Sequence, residues 1–155
     1  MFEQYGPLFT NTIFSKLSEE LRVILPNARI EHIGSSSIPG SISKGDLDVF
    51  VGVDHSYFDQ ALILIKSLDF DEKQGTFRSD QLCMLVTDKF NYDVAVQLVS
   101  NGSEFEDFLK FRDLLKSNSE FLKEYNEVKL IAQSLDENEY REKKNTFITK
   151  ILNSQ

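Results

Sequence analysis

The sequence holds one cysteine, Cys83, and two histidines, His32 and His55. A lone thiol closes no internal disulfide, and so few soft ligands do not make a structural zinc site. No apolar run approaches the ~20 residues needed to cross a bilayer. The opening residues, MFEQYGPLFTNTIF, carry Glu3 and no basic stretch, so a secretory leader is not expected. A cytoplasmic protein without a membrane partner is the expectation. Basic residues are in the minority as well: 17 Lys+Arg stand against 25 Asp+Glu, a net charge of −8. That balance disfavours an extended nucleic acid as partner, while leaving room for a local basic pocket or for a terminal hydroxyl entering a groove.

What remains is ample for a folded core. The 155 residues are 41% hydrophobic, with 13 Phe among the aromatics, which excludes wholesale disorder. The length fits a single domain over 1–155. Its texture changes near residue 103. Before that point β-rich runs alternate with helical ones, and after it the pattern is helical. Residues 8–24 place Leu8, Ile13, Leu17, Leu21 and Ile24 on one helical face. A short strand is expected at 29–35 and a nearly continuous apolar strand at 46–53, buried on both faces. A helix over 55–68 follows, then a hairpin of 81–87 and 90–99 joined through Asp88-Lys89, with a strand or loop at 75–79. The segment 104–155 reads as three amphipathic helices, capped by Asn101-Gly102-Ser103, Ser119 and Asp136. The fold class is therefore α+β: a mixed α/β sheet core, 1–103, flanked by helices, with a helical segment behind it. The three helices can cover the sheet or make a homodimer, and both options stay open.

The chemistry concentrates in residues 31–53, EHIGSSSIPGSISKGDLDVFVGV. Asp46 and Asp48 are two apart on the expected strand, so both leave one face, separated by about 6.5–7 Å along the chain. Carboxylates so placed can converge on a divalent cation, and Mg²⁺ suits one or two carboxylates completed by water and phosphate oxygens. Upstream, Gly34 allows close backbone approach, and Ser35 and Ser36 place hydroxyls beside free N–H groups, a cradle for phosphate. Lys44 stands two residues before Asp46 and offers a positive charge to the same phosphates. Asp93 interrupts the second hairpin strand, where a metal or the other two Asp would give a buried carboxylate its partner. His32 is expected on the strand face of Gly34, positioning the loop. Arg141, Lys143 and Lys144 alternate with Glu142 and read as a solvated face. Arg112 and Lys129 either line the cleft or pair with Asp113 and Glu127.

Glycine-serine, an Asp-x-Asp strand and a later strand Asp form the pattern of polymerase-beta-like nucleotidyltransferases. More narrowly, HIGSSSIPGSISKGDLDV at 32–49 resembles the GrpB-like nucleotidyltransferase signature HIGST-x-VPG-x-x-x-K-x-x-x-D. FRDLLKSNSEFLKEYNEVKLIA at 111–132 resembles that family's FRD-x-L and E-Y-x-x-x-K segments, and 140–151 its closing Y-x-x-x-K-x-x-F-I helix. Where the family often has a hydrophobic residue at the first acidic position, this chain has Asp46. The resemblance implies a Mg²⁺-dependent transfer of a nucleoside monophosphate from a nucleoside triphosphate, ATP by default, to a hydroxyl of a small molecule or protein. It implies that Gly34 and Ser35 hold phosphates and that Asp46 and Asp48 hold Mg²⁺. Asp93, matched only to the wider superfamily, would complete a second metal site or accept the acceptor's proton. Two other readings remain at this point: a nucleotide- or metabolite-binding module without transfer chemistry, and a dimeric interaction protein.

Overall fold

The computed structural model describes residues 7–43 and 45–154. Helix α1 (Pro7–Ile24) is followed by strand β1 (Arg29–Ile33), a 3-10 turn over Ser35–Ser37, and strand β2 (Leu47–Val53). Helix α2 (Phe58–Lys66) and the short strand β3 (Asp71–Glu72) lead into β4 (Leu82–Thr87) and β5 (Val94–Ser100). Helices α3 (Asp107–Ser117), α4 (Ser119–Ala132) and α5 (Glu137–Asn153) complete the chain. Among the described residues no helix is long and apolar enough to cross a membrane.

The five strands form one sheet in the order β1-β2-β5-β4-β3. β2 and β5 run parallel at its centre, and every other pairing is antiparallel. Alternation along the strands divides the side chains between two unlike faces. Leu47, Val49, Val51, Val96 and Leu98 bury one face against Leu17 and Leu21 of α1 and Ala61 and Ile65 of α2. Each of the larger aliphatic side chains contributes about 1.5–3 kcal/mol by leaving water, which makes this the main core. The opposite face carries a smaller cluster, Ile33, Phe50, Leu82 and Val99, with Phe105, Phe108 and Leu109 against it. Helices α3–α5 hold a third cluster around Leu115, Tyr125, Phe147 and Ile151, which also takes in Ile38 from the loop after β1. The helical segment is thus fastened over the second face near Gly34, and a cleft remains between sheet and helices.

Three local expectations are corrected. The last strand begins at Val94 rather than at residue 90. Asn91 adopts a left-handed φ of 54° and its N–H bonds Asp88 O at 2.9 Å, so residues 88–91 form a turn. Tyr92 then anchors to α1 through Thr10 (2.9 Å) and the edge of Phe9. The two-residue strand β3 was not expected, because so short a segment shows no periodicity; residues 75–79 are loop. His32 lies on the α1 face: it pairs with Val49 in the ladder and stacks on Phe14 at 5.2 Å. The chain turns at Gly34, so period-two counting from Gly34 back to His32 fails there.

Candidate functional site

Asp48 sits in β2 with its neighbours Leu47 and Val49 fully buried in the main core, so its carboxylate emerges on the second face. Asp46 immediately precedes the strand and leaves on the same side. Both line a cleft of about 670 Å³ between that face and the C-terminal helices, together with Gly34, Tyr125 and Lys144. Gly34 has a φ of 77°, and a Cβ placed there would fall 2.4 Å from Asp48 Oδ2. The backbone of the loop is therefore pressed directly onto the carboxylate, an approach that only glycine allows. Gly34→Ala is expected to cost about 1–3 kcal/mol in a urea melt, through left-handed strain and the displaced Asp48.

The serine loop is held from outside. Ser37 Oγ donates to Gly34 O at 2.6 Å, and Ser36 Oγ lies 3.0 Å from His32 Nε2. Burial first, then Lys116 and Arg112, bring His32 down to about 4, so the ring is neutral and orients the loop. Lys129, only 3% exposed, donates from Nζ to Ser35 Oγ and Ser41 Oγ at 2.9 Å each, and to Ile42 O. Its ammonium also lies 4.2 Å from the Tyr125 ring centre. Neither Ser35 nor Ser36 lines the cleft that holds Gly34, Asp46 and Asp48; their hydroxyls are turned toward Lys129 and His32. Lys44 lies outside the described residues.

Asp48 accepts no hydrogen bond or ion pair from a described residue. Burial and the adjacent Asp46 carboxylate push it up to about 7, with Lys144 pulling the other way. Lys144 is in turn held up by Tyr125 first and then by Tyr140, Asp48 and Asp46. Burial and Lys144 bring Lys129 down to about 7, Asp46 opposing. The cleft thus sets two crowded carboxylates beneath one facing ammonium. Lys144 belongs to this site, against the expectation of a solvated face: Lys144 and Phe147 lie three apart, and the buried Phe147 fixes that side of α5 toward the sheet. Arg112 bonds both ways as well, to His32 O (3.1 Å), Glu31 (2.8 Å) and Asp113 (2.9 Å), and so clamps α3 to the edge of β1.

Asp93 is placed differently from the expectation of a buried strand carboxylate. It precedes β5, flanked by the buried Tyr92 and Val94, and is exposed. Its carbonyl accepts the Leu47 N–H at 2.9 Å, which sets it beside Asp46 at the end of the parallel pair. It lines a second, open cleft of about 560 Å³ that shares Asp46 and Asp48 and adds Asp71 and Asp88. Among the described residues no group of three His, Cys, Asp or Glu is close enough to hold a metal ion. Asp46 and Asp48 by themselves fit a hard divalent cation: two like charges, one without a hydrogen-bond donor, call for positive charge between them.

A family model described as GrpB protein matches residues 3–154. The chain belongs to the GrpB family. Its relatives include a UPF0157 protein of Vibrio cholerae, 46% identical over 140 residues that cover 90% of this chain and 74% of that protein. A UPF0157 protein of Deinococcus radiodurans is 32% identical over 143 residues, covering 90% and 73%. Among solved structures, the conserved protein GrpB from Enterococcus faecalis aligns with a TM-score of 0.77 at 25% identity, over 97% of this chain and 94% of that one. The GrpB-family fold also extends to a nucleotidyltransferase. The Cid1 poly(U) polymerase with MgGTP bound aligns with a TM-score of 0.56 at 18% identity, over 79% of this chain and 41% of that one. The mixed α+β architecture is therefore that of GrpB and of nucleotidyltransferases.

The sequence carries a signal for Tyr125 and Lys144, beside the Lys129 already singled out there. Tyr125 and Lys129, and again Tyr140 and Lys144, stand four apart within the family-like segments, a spacing that puts tyrosine and lysine on one helical face.

Proposed function

We propose that this GrpB-family chain is a cytoplasmic, Mg²⁺-dependent nucleotidyltransferase that moves a nucleoside monophosphate from a nucleoside triphosphate to a hydroxyl of a small molecule or protein. The observation that carries this reading is the Asp46/Asp48 pair on the second sheet face, opening into a cleft closed by Gly34 and Lys144. Asp46 and Asp48 would hold the cation, whose contribution at such a pair is to neutralise phosphate oxygens. Gly34 lets the loop backbone close directly onto Asp48, and the Lys144 ammonium faces the same cleft as a second positive group for the phosphate chain. Lys129 acts one step removed, by holding Ser35 and Ser41 so that the loop keeps its shape.

The two clefts meet at the aspartates, and that gives the transfer a direction. With the triphosphate in the helix-covered cleft, the acceptor hydroxyl enters from the open one. Its oxygen bonds to the α-phosphorus while the bond to pyrophosphate breaks, and its proton passes to Asp93, which is exposed there. Aspartates line that entrance, so an acceptor without negative charge is favoured.

Pyrophosphate release from each of the four ribonucleoside triphosphates, with polyols and with Ser- and Tyr-containing peptides as acceptors, tests the reading. At least one nucleotide–acceptor pair is expected to release pyrophosphate only with Mg²⁺, and Asp46→Asn to slow it about 100-fold or more. Saturable nucleotide binding without release from any pair would assign the cleft to binding alone.

A further inference from the structure

The helix-covered cleft that holds the aspartates also carries a surface of a different chemistry. Phe105, Phe108 and Phe111 recur every three residues from the turn before α3 into that helix, and all three line the cleft while only half-buried. Their inner sides are anchored. Phe105 and Phe108 rest on Ile33, Phe50 and Leu82, and Phe111 meets Tyr125 edge-on at 5.3 Å. On the outer rim the exposed Phe77 lies 5.7 Å from Phe105, extending the aromatic surface. Gln97 and Asn145 supply uncharged polar groups in the same cleft, and Glu104, Asp107 and Arg112 add charged ones around the phenylalanines. A wall of phenylalanine faces is of no use to a triphosphate, but it is the surface on which a planar, polar-edged heterocycle is held by stacking.

We propose that the Phe105–Phe108–Phe111 wall is the nucleobase subsite, and that it binds by stacking, with little discrimination among bases. The proposal rests on the nucleotidyltransferase reading for the position of the phosphates. What it adds is a division of labour within one cleft: Asp46, Asp48 and Lys144 take the charged chain, and the phenylalanines take the base. Stacking tolerates any base, because each presents a π-face. The four ribonucleoside triphosphates should therefore bind within a few-fold of one another.

Titration calorimetry in Mg²⁺ with ATP, GTP, CTP, UTP and inorganic tripolyphosphate tests this without any variant. Each nucleotide is expected to bind at least about 10-fold more tightly than tripolyphosphate. Phe105→Leu and Phe108→Leu keep most of the apolar volume and remove the flat ring. Each is expected to weaken all four nucleotides about 10-fold and to leave tripolyphosphate unchanged, with circular dichroism and the melting temperature verifying the fold. Equal affinity of wild type for nucleotides and tripolyphosphate would overturn the subsite and leave the phosphate site intact. Unaltered nucleotide binding in both leucine variants would overturn it too. If neither nucleotide nor tripolyphosphate binds, the nucleotidyltransferase reading fails and the subsite with it.

Discussion

Asp48→Asn is expected to give a more stable protein that has lost its chemistry. Asp48 is forced up to about 7 by burial and by Asp46, so above that pH the fold carries a carboxylate that the unfolded chain ionises freely from about 4 upward. A carboxyl whose folded pKa is raised binds more protons when folded than when unfolded. Stability is therefore lost as pH rises from about 4 to about 7, and the loss is complete above the folded value. Asparagine removes the charge. The difference between variant and wild type should be near zero at pH 4 and grow to about 1–3 kcal/mol in favour of the variant by pH 8, read from urea melts at several pH values. Over the same substitution, Mg²⁺-dependent pyrophosphate release should fall about 100- to 1,000-fold. A structural aspartate would show the reverse, since its removal leaves donors unsatisfied. Stability gained while function is lost is the mark of a site held under strain for use.

Lys129→Ala should produce the largest loss of stability from a single side chain in the helical half. The ammonium reaches Ser35, Ser41 and the Ile42 carbonyl from α4, and truncation removes all three bonds while opening a cavity beside Tyr125, leaving the long contacts of Ser35 with Tyr125 (3.4 Å) and of Ser41 with Ile42 O (3.5 Å). A cost of about 2–4 kcal/mol follows from the lost hydrogen bonds and the void. The pH dependence separates charge from packing. With Lys129 lowered to about 7, the unfolded chain binds the extra proton between about 7 and 10.5. The wild type should thus gain stability with rising pH across that window. Lys129→Met keeps the stem and removes the proton, so this contribution to the slope should vanish in it, leaving above about pH 9 the opposite one of Cys83, whose thiol burial pushes up to about 11. In both variants the Ser35 end of the loop should become more open to protease, being left with its 3.4 Å contact with Tyr125, while Asn126 of α4 still holds the Gly40 carbonyl (3.0 Å) and the Ile42 N–H (2.9 Å).

The elements that could be read from the sequence are those whose pattern is local. The apolar spacing of Leu17 and Leu21 marks α1, and the run after Asp48 marks β2, since both depend only on which side chains face the core. The shared face of Asp46 and Asp48 was legible for the same reason: strand alternation is fixed by backbone geometry. Asp93 was not, because a left-handed Asn91 and the Tyr92–Thr10 bond end the turn at residue 93, and neither has a periodic signature. Lys144 was hidden among Arg141, Glu142 and Lys143, three exposed neighbours, and only the docking of α5 singles it out. Counting by twos puts His32 on the wrong face, because it assumes the strand continues through Gly34, where the backbone turns. In each case the missing information is how elements meet, which a single sequence does not display.

The most direct test is titration calorimetry of the four ribonucleoside triphosphates, with and without Mg²⁺, into wild type and Asp46→Asn/Asp48→Asn. Binding that requires Mg²⁺ in wild type and disappears in the double variant, with the fold retained, is the predicted result. Nucleotide binding of equal strength with and without Mg²⁺, or unaltered in the double variant, would contradict a metal-dependent site at Asp46 and Asp48.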